Sequence, residues 1–327
     1  MQQYIRDSGH SISRDKIITN TFLKKVRFGV PFFGENKVAR FLKIVYYDLQ
    51  PCEKIKLNIG DAMKEYVNTF MRYRFLLGEL VKKGIKLKYR RSYLGIVWAF
   101  IQPIVTILVY WFVFSVGLKA GTVSDYPFVL YLVSGIVPWF FFQDALNGGT
   151  NALIEYNYLV KKVVFKISIL PIVKIISALF VHVFFVAFAL ILCACYGYTP
   201  SLYTLQIIYY SVCTFLFVLG LVYATSAIVI FFRDLTQIIS IFLQVGVWLT
   251  PIMWDINMLS SHPWLIKLFK LNPMYYVVTG YRDSMLGHIG IWNHASWTIY
   301  FWVVTILLFG LGSVIFKRLK PHFADVL

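Results

Sequence analysis

The sequence predicts an all-α integral membrane protein with six transmembrane helices. Of its 327 residues, 59% are hydrophobic and only 14% are charged, whereas soluble domains carry about 25% charged residues. The stretch from Leu94 to Leu118 contains no charged residue. As a helix it would be roughly 37 Å long, which exceeds the hydrocarbon layer of about 30 Å. The chain therefore enters a lipid bilayer at this point.

The distribution of charge indicates which side of the membrane the chain starts on. The net charge is +17, and 20 of the 32 Lys and Arg residues precede Ser92, so the first 91 residues carry +12. A basic segment directly before an apolar run follows the positive-inside rule and is drawn to anionic lipid headgroups. We therefore expect a cytosolic N-terminus and no nucleic-acid partner. The first thirty residues also lack the apolar core of a cleaved signal peptide.

Two amphipathic segments precede the first span. Residues 1–60 are predicted to form a cytosolic extension that is partly ordered, with a surface helix at Lys37–Leu49. Residues 61–93 are predicted to form an interface helix that runs into the first span. Its apolar stripe consists of Phe70, Tyr73, Leu77, Leu80, Gly84 and Leu87. The cations that lie off this stripe are Arg72, Lys82, Lys83 and Lys86.

Six apolar runs within residues 94–316 are long enough to be candidate spans. They are Leu94–Leu118, Tyr126–Gln143, Ile167–Tyr196, Leu202–Phe232, Leu235–Trp254 and Ser296–Phe316. An even number of spans returns the tail, residues 317–327, to the cytosol. The connections and tail on that side carry seven basic residues against four on the outer side, which favours cytosolic N- and C-termini.

The connection after the second span is predicted to be a short cytosolic helix at about residues 156–166. It has an apolar stripe beside two adjacent lysines, and it is too short to cross the bilayer. The residues concerned are Leu159, Val160, Lys161, Lys162, Val163, Val164 and Phe165. The pattern leaves two interpretations open, a segment that lies on the membrane or one that docks into a partner.

The outer segment Asp255–His294 is strongly apolar for a connection between spans. Two short runs within residues 263–287 are separated by Asn272-Pro273, a helix cap followed by the residue best tolerated at a first helical position. Backbone at membrane depth must satisfy its own hydrogen bonds, so we predict two short re-entrant helices. The alternative is an ordinary folded outer loop.

The sequence offers little for catalysis. It contains no Gly-rich phosphate loop, no metal-ligand spacing and no convergent set of acid–base groups, so we expect no catalytic and no metal site. A membrane enzyme that acts on lipid-linked sugars stays an alternative of a different class. In the third span, Lys174 is expected to extend toward the cytosolic headgroups and His182 to lie as a neutral imidazole between helices.

Aromatic residues make up 18% of the chain. Most Trp and Tyr residues near span ends form interfacial belts, but aromatic faces also stack on sugar rings. Composition does not separate these two roles for the candidates Trp98, Tyr110, Trp111, Trp139, Phe140 and Trp248.

Six motifs in order resemble the membrane subunit of ABC-2 type polysaccharide exporters. They are Tyr89–Pro103, Gly135–Phe142, Leu159–Val163, Phe232–Leu235, Thr250–Asp255 and Leu271–Ser284, and they cover roughly residues 75–320. Within that family, the form of His262–Lys267 is most similar to wall teichoic acid translocation permeases. O-antigen and capsule exporters share the core pattern.

The resemblance implies a permease of the bacterial cytoplasmic membrane that acts as a homodimer with two copies of a separate ATPase. That subunit would bind ATP and Mg, and this chain would bind no cofactor. The cargo would be a polymer on a polyprenyl diphosphate, and small-molecule export is an alternative within the family. The short cytosolic helix would be the coupling helix, and the candidate aromatics would line the sugar path.

The same resemblance, together with the charges, suggests roles for two further groups of residues. Lys86, Lys88, Arg90 and Arg91 would attract the diphosphate headgroup, although membrane anchoring explains part of their charge. The two short outer helices would shape the exit, with an outer gate formed by Trp264, Pro273, Tyr275, Tyr276, Tyr281, Arg282 and Asp283.

Overall fold

The computed structural model of the chain describes residues 78–85, 93–119, 121–161 and 167–327. Within these ranges the protein is almost entirely helical, as predicted. Helix α1 comprises residues 78–85, and α2 spans Trp98–Trp111, with a 3-10 turn before it and a π-helical turn at Phe112–Gly117. The remaining helices are α3 Phe128–Glu155, α4 Asn157–Val160, α5 Ile169–Cys195, α6 Gln206–Val229, α7 Leu235–Leu249, α8 Pro263–Lys270, α9 Pro273–Arg282, α10 Ala295–Leu319 and α11 Phe323–Val326.

Five of the helical segments in the described ranges are long and apolar enough to cross a membrane. They are Gly95–Gly117, Phe128–Glu155, Ile169–Cys195, Leu202–Val229 and Ile291–His322. The predicted fifth span is helical over only 15 residues, Leu235–Leu249, a length of about 22 Å. The six-span count therefore stays a prediction.

Two spans differ in length from their predicted bounds, for opposite reasons. The apolar run of the second span stops at Gln143, but α3 continues to Glu155, because polar residues on one face do not interrupt a helix. The helix α7 stops before the predicted Trp254, because Thr250 precedes Pro251 and is extended, with ψ 122°. A residue before proline is disfavoured in the helical region.

Helix α3 is the centre of the bundle. In the most apolar stretch of α3, 78% of the residues are buried. In the corresponding stretch of the segment that contains α2, only 11% are buried. It packs against α2, α5, α6, α7 and α9, while α6 packs mainly against α10. The apolar faces of α2 and α7 consequently lie on the outside of the described bundle.

A small hairpin that the sequence did not predict precedes α3. Strands β1 (Thr122–Val123) and β2 (Tyr126–Pro127) pair antiparallel. Ser124 and Asp125 have φ of 49° and 67°, the left-handed pair that a two-residue hairpin turn requires. The Ser124 hydroxyl donates to Asp255 at 2.6 Å and so ties the hairpin to the segment after α7.

The predicted helix start at Asn272-Pro273 is confirmed. The Asn272 Oδ1 accepts the backbone N–H of Met274 at 3.0 Å, and its amide nitrogen donates to the Thr250 hydroxyl at 2.8 Å. Two short helices, α8 and α9, therefore occupy the segment that is predicted to lie on the outer side, and their placement at membrane depth stays a prediction. They differ in burial: α9 buries six residues, whereas α8 buries none.

Only part of the predicted interface helix falls within the described residues. In α1 the stripe residues Leu80 and Gly84 are buried, and Lys82 and Lys83 are exposed, in agreement with the predicted faces. Gly84 lies close to α5, because a Cβ there would come within 2.9 Å of the Tyr156 hydroxyl and 3.7 Å of the Ser177 hydroxyl. The surface helix predicted at Lys37–Leu49 lies outside the described residues.

Candidate functional site

A cleft of about 610 Å³ lies between α2, α3, α5 and α7 of the described bundle. Trp98, Tyr110, Trp139 and Phe140 line it, so four of the six candidate aromatics converge on one space. The other two, Trp111 and Trp248, do not line the cleft and are 38% and 51% exposed. Their position suits contact with lipid or with a neighbouring protein.

Four carboxamide side chains that are not among the candidates predicted from the sequence also line this cleft. They are Gln102 of α2, Gln143 and Asn147 of α3, and Gln244 of α7. Gln143 and Asn147 are one helical turn apart and so share a face. The sequence signal for these residues is the presence of isolated amides within otherwise apolar runs. Only the packing shows that amides from three helices line the same cleft.

A second cleft of about 240 Å³ shares Asp144 and Asn147 with the first and is bounded by α1, α3 and α5. Its polar wall continues along α3 to Asn151 and Glu155. From Asp144 to Glu155 this polar stripe rises roughly 16 Å along the helix. The two clefts thus adjoin each other along α3, and we refer to them together as the groove; its lining is more polar toward the end of α3 that is predicted to be cytosolic.

Lys174, which is expected to extend toward the cytosolic headgroups, has a partner within the protein. Its ammonium group forms an ion pair with Glu155 and lies 5.3 Å from the centre of the Tyr156 ring. The Lys174 side chain is only 9% exposed, and a buried ammonium needs such a partner. Burial, with a contribution from the Glu155 charge, raises the pKa of Tyr156 to about 12, so the neighbouring phenol stays neutral.

His182 lies between helices, as predicted, and its ring forms part of the larger cleft's wall. The Nε2 atom is 2.8 Å from the Tyr281 hydroxyl and 3.3 Å from the Ser211 hydroxyl. One face of the ring stacks on Phe141, with centroids 4.7 Å apart. His182 therefore connects the wall of the cleft to α6 and α9.

Arg282 links three parts of the bundle at the end that is predicted to lie on the outer side. Its guanidinium donates to the Ile252 carbonyl at 2.9 Å and to the Tyr131 carbonyl at 3.4 Å. It also lies 3.6 Å from the centre of the Tyr131 ring, within the range of a cation–π interaction. Helix α9 is thereby fixed to α3 and to the segment after α7.

The other predicted gate residues lie in the two short helices and in the turn that follows α9. Tyr276 and Tyr281 are buried and hydrogen-bonded, Tyr275 is half-buried, and Pro273 occupies the first turn of α9. The Asp283 carboxylate pairs with His294 at 3.0 Å. Burial raises the pKa of the Asp283 carboxyl, whereas His294 and Arg282 lower it. Trp264 of α8, by contrast, is 63% exposed. The geometry thus separates a fixed helix, α9, from a peripheral one, α8.

The predicted coupling segment is only partly described. In α4, Val160 is buried, Leu159 is half-buried, and Tyr158 and Lys161 are exposed. Tyr158 is an exposed aromatic, 53% accessible, that the sequence analysis did not include. Lys162, Val163 and Phe165 lie outside the described residues, as do the headgroup candidates Lys86, Lys88, Arg90 and Arg91.

Within the described residues no group of three or more His, Cys, Asp or Glu side chains is arranged to hold a metal ion. The groove is instead built from aromatic rings, amides, hydroxyls and a few ionisable groups. Such a surface can bind a polar, uncharged chain by stacking and by hydrogen bonding.

A profile described as "ABC-2 type transporter" matches residues 76–286. The chain is 28% identical over 263 residues to the O-antigen export system permease protein RfbA of Myxococcus xanthus, an alignment that covers 80% of this chain and 99% of that protein. An RfbA of Klebsiella pneumoniae is 25% identical over 277 residues, with 84% and 99% covered.

Proposed function

The chain belongs to the ABC-2 type transporter family, and on that premise we propose that it is the membrane permease of an exporter of a lipid-linked cell-surface polysaccharide. ATP would be hydrolysed, with Mg, in a separate subunit. The observation that carries the proposal is the groove of aromatic and amide side chains along α3, within a bundle of membrane-spanning helices. The relatives, named as O-antigen export permeases, align over 99% of their length.

We take the cargo to be a polymer attached to a polyprenyl diphosphate, which is moved across the bacterial cytoplasmic membrane. Wall teichoic acid is the finer hypothesis and rests on the form of His262–Lys267. O-antigen-like glycans are the alternative and are favoured by the relatives. Both cargoes demand the same architecture, but they differ in charge, because teichoic acids carry a phosphate in every repeat.

A second copy of the chain would complete the permease. Helices α2 and α7 both border the cleft, and both expose apolar residues away from the bundle, including Leu108, Phe112, Phe242 and Trp248. A homodimer that joins these faces would enclose the cleft between two copies. In this arrangement each copy engages one ATPase subunit, and both termini lie in the cytosol.

The headgroup hypothesis predicts the effect of removing two arginines. Arg90→Ala combined with Arg91→Ala should raise the concentration of lipid-linked substrate needed for half-maximal ATPase stimulation about tenfold, because charge-assisted bonds to the diphosphate are lost. The measurement uses the permease and ATPase reconstituted together in vesicles. The matched control is Lys82→Ala with Lys83→Ala, which removes two exposed cations of α1. Equal responses of the two double variants would leave only an anchoring role for the arginines.

The coupling hypothesis predicts a separation between two neighbouring residues of α4. Leu159→Asp should lower substrate-stimulated ATP hydrolysis about tenfold or more and leave the melting temperature of the isolated permease unchanged, because Leu159 is half-buried at the surface. Val160→Ala should instead lower the stability by about 2 kcal/mol, since its side chain is only 3% exposed. If Leu159→Asp left hydrolysis intact, the ATPase would have to contact a different segment.

A further inference from the structure

Helix α8 presents apolar side chains to the outside of the described bundle. Trp264, Leu268 and Leu271 follow one another at spacings of four and three residues, so they form one stripe along the helix and the residue after it. Their side chains are 63%, 55% and 53% exposed. Single exposed apolar residues are normal on a protein surface, but a contiguous stripe with a tryptophan marks a surface that meets a membrane or another protein.

The opposite side of α8 is attached to the protein. The Phe269 ring is half-buried, and its centroid lies 5.4 Å from that of the Trp254 ring. At the end of the helix, the Tyr300 hydroxyl of α10 donates to the Leu271 carbonyl at 2.6 Å. Because these contacts hold α8 from one side, its exposed stripe points away from the bundle.

The attachment to α10 relates α8 to the bilayer. Helix α10 belongs to the segment Ile291–His322, which is long and apolar enough to cross a membrane. Its residues Val303, Leu307 and Leu311 share the helix face of Tyr300, and each of the three is more than half exposed. A spanning helix turns such a stripe toward lipid. Tyr300 lies at one end of the stripe, so α8 is placed where this lipid-facing surface ends.

Two cations flank the apolar stripe of α8 on one edge. Lys267 is exposed, and the Lys270 ammonium lies 5.9 Å from the centre of the Trp297 ring. Among the described residues neither lysine has an ion-pair partner, and residues 256–282 contain no Asp or Glu. Two of the four cations predicted for the outer side therefore lie on this one helix, although the positive-inside rule disfavours cations on that side.

A helix with an apolar stripe and cations along its edge has the pattern of a helix that lies in the lipid interface. Its apolar side chains enter the acyl boundary, and its lysines reach the headgroup phosphates. Tryptophan is enriched at the same depth. Anionic phospholipids match this charge pattern, because they attract basic segments that lie close to the membrane surface.

We infer that α8 is an interfacial anchor that binds anionic phospholipid on the side of the membrane that is predicted to be outer. Lys267 and Lys270 contact the headgroup phosphate, and the apolar stripe lies against the acyl chains. In this role Trp264 belongs to a lipid contact and not to the predicted outer gate. The inference does not depend on the cargo of the permease.

A second copy of the chain fits this surface less well than lipid does. In a two-fold symmetric contact the same patch faces itself. Lys267 and Lys270 would then approach the same lysines of the other copy, and α8 offers no carboxylate to pair with them. The apolar faces proposed to join two copies lie instead on α2 and α7.

The test measures contact between Trp264 and lipid in the full-length chain reconstituted in vesicles without substrate. Bromine on an acyl chain quenches nearby tryptophan fluorescence, and the Trp264 signal is the difference between the wild-type chain and Trp264→Phe. Two sets of vesicles contain the same mixture of phosphatidylcholine and phosphatidylglycerol and the same number of brominated lipids. They differ only in which of the two headgroups carries the brominated chains.

Both brominated lipids should quench the Trp264 signal. The apparent affinity for brominated phosphatidylglycerol should exceed that for brominated phosphatidylcholine at least about fivefold, as expected for a cation close to an anionic surface. Lys267→Gln with Lys270→Gln should remove this preference and keep the quenching by phosphatidylcholine, which shows that α8 is still in place. Lys82→Gln with Lys83→Gln is the matched control, because it removes two exposed cations of α1, and it should keep the preference.

Three results would overturn the inference. A Trp264 signal that neither brominated lipid quenches would mean that water or a second copy covers the stripe. Equal quenching by the two lipids in the wild-type chain would leave an apolar contact without recognition of anionic headgroups. A preference that survives the loss of both Lys267 and Lys270 would exclude these two side chains as its source. Since no substrate and no ATP hydrolysis enter the measurement, failure of the proposed export function would not alter any of these outcomes.

Discussion

Replacing Arg282 with methionine is expected to destabilise the folded permease by about 3 kcal/mol and to abolish export. The substitution removes two charge-assisted hydrogen bonds, to the carbonyls of Ile252 and Tyr131, and the cation–π contact with the Tyr131 ring. Hydrogen bonds to charged groups contribute about 1.5–3 kcal/mol each, and the two carbonyls would be left without this donor. Since Arg282 joins α9 to α3 and to the segment after α7, this end of the bundle should loosen.

The measurement is the thermal midpoint of the detergent-solubilised chain, followed by intrinsic tryptophan fluorescence, together with export in cells. Arg282→Lys should be intermediate, because an ammonium keeps the charge but not the planar fork that reaches two carbonyls. Arg233→Met is the matched control, since Arg233 is exposed, and it should leave the midpoint unchanged. A similar midpoint for Arg282→Met and Arg233→Met would show that the clamp does not contribute to stability.

Replacing Gly312 with valine is expected to cost at least about 3 kcal/mol and to reduce the yield of folded protein strongly. A Cβ at Gly312 would collide with the backbone oxygen of Gly220 on the facing helix, and a Cβ at Gly220 would lie 2.8 Å from the backbone nitrogen of Phe309. Backbone atoms cannot rotate away as a side chain does, so α6 and α10 would have to separate. Close approach at small residues is how helices pack in a membrane, and overpacking there is destabilising.

Gly310→Ala is the control for this prediction. Gly310 lies two residues earlier in the same helix, and a Cβ there meets nothing within 4 Å. Alanine should therefore be neutral or should stabilise the helix by up to about 1 kcal/mol. Both variants are compared by recovery of monodisperse protein after heating in detergent. If Gly312→Val behaved like Gly310→Ala, the contact between α6 and α10 would not be as close as the structure shows.

The spans were predictable where a local property decides them. The long apolar runs, the cap at Asn272-Pro273 and the faces of α1 follow from residue type and spacing alone. The end of α7 was predicted too late, because the apolar run continues past Pro251 to Trp254. Thr250-Pro251 is nevertheless a local signal against helix. The hairpin at Ser124-Asp125 was missed because Ser-Asp is not one of the pairs, Asn-Gly, Asp-Gly or Gly-Gly, that usually mark such a turn.

The candidate site was predictable only in part. Aromatic candidates were chosen by residue type, and packing separated Trp98 and Trp139, which line the cleft, from Trp111 and Trp248, which do not. Lys174 was expected to reach the cytosolic headgroups because it lies near the start of its predicted span. Its partner Glu155 lies 19 residues earlier in the chain, on another helix.

The sequence by itself determined that this protein is a helical membrane protein of the ABC-2 type, because hydrophobic length and short ordered motifs are written along the chain. The tertiary structure alone decided which side chains share a space. Arg282 and Tyr131 are 151 residues apart, and the amides of the cleft come from three helices. Contacts between such distant positions depend on how the helices pack, and helical periodicity gives the face of a residue but not the neighbour that this face meets.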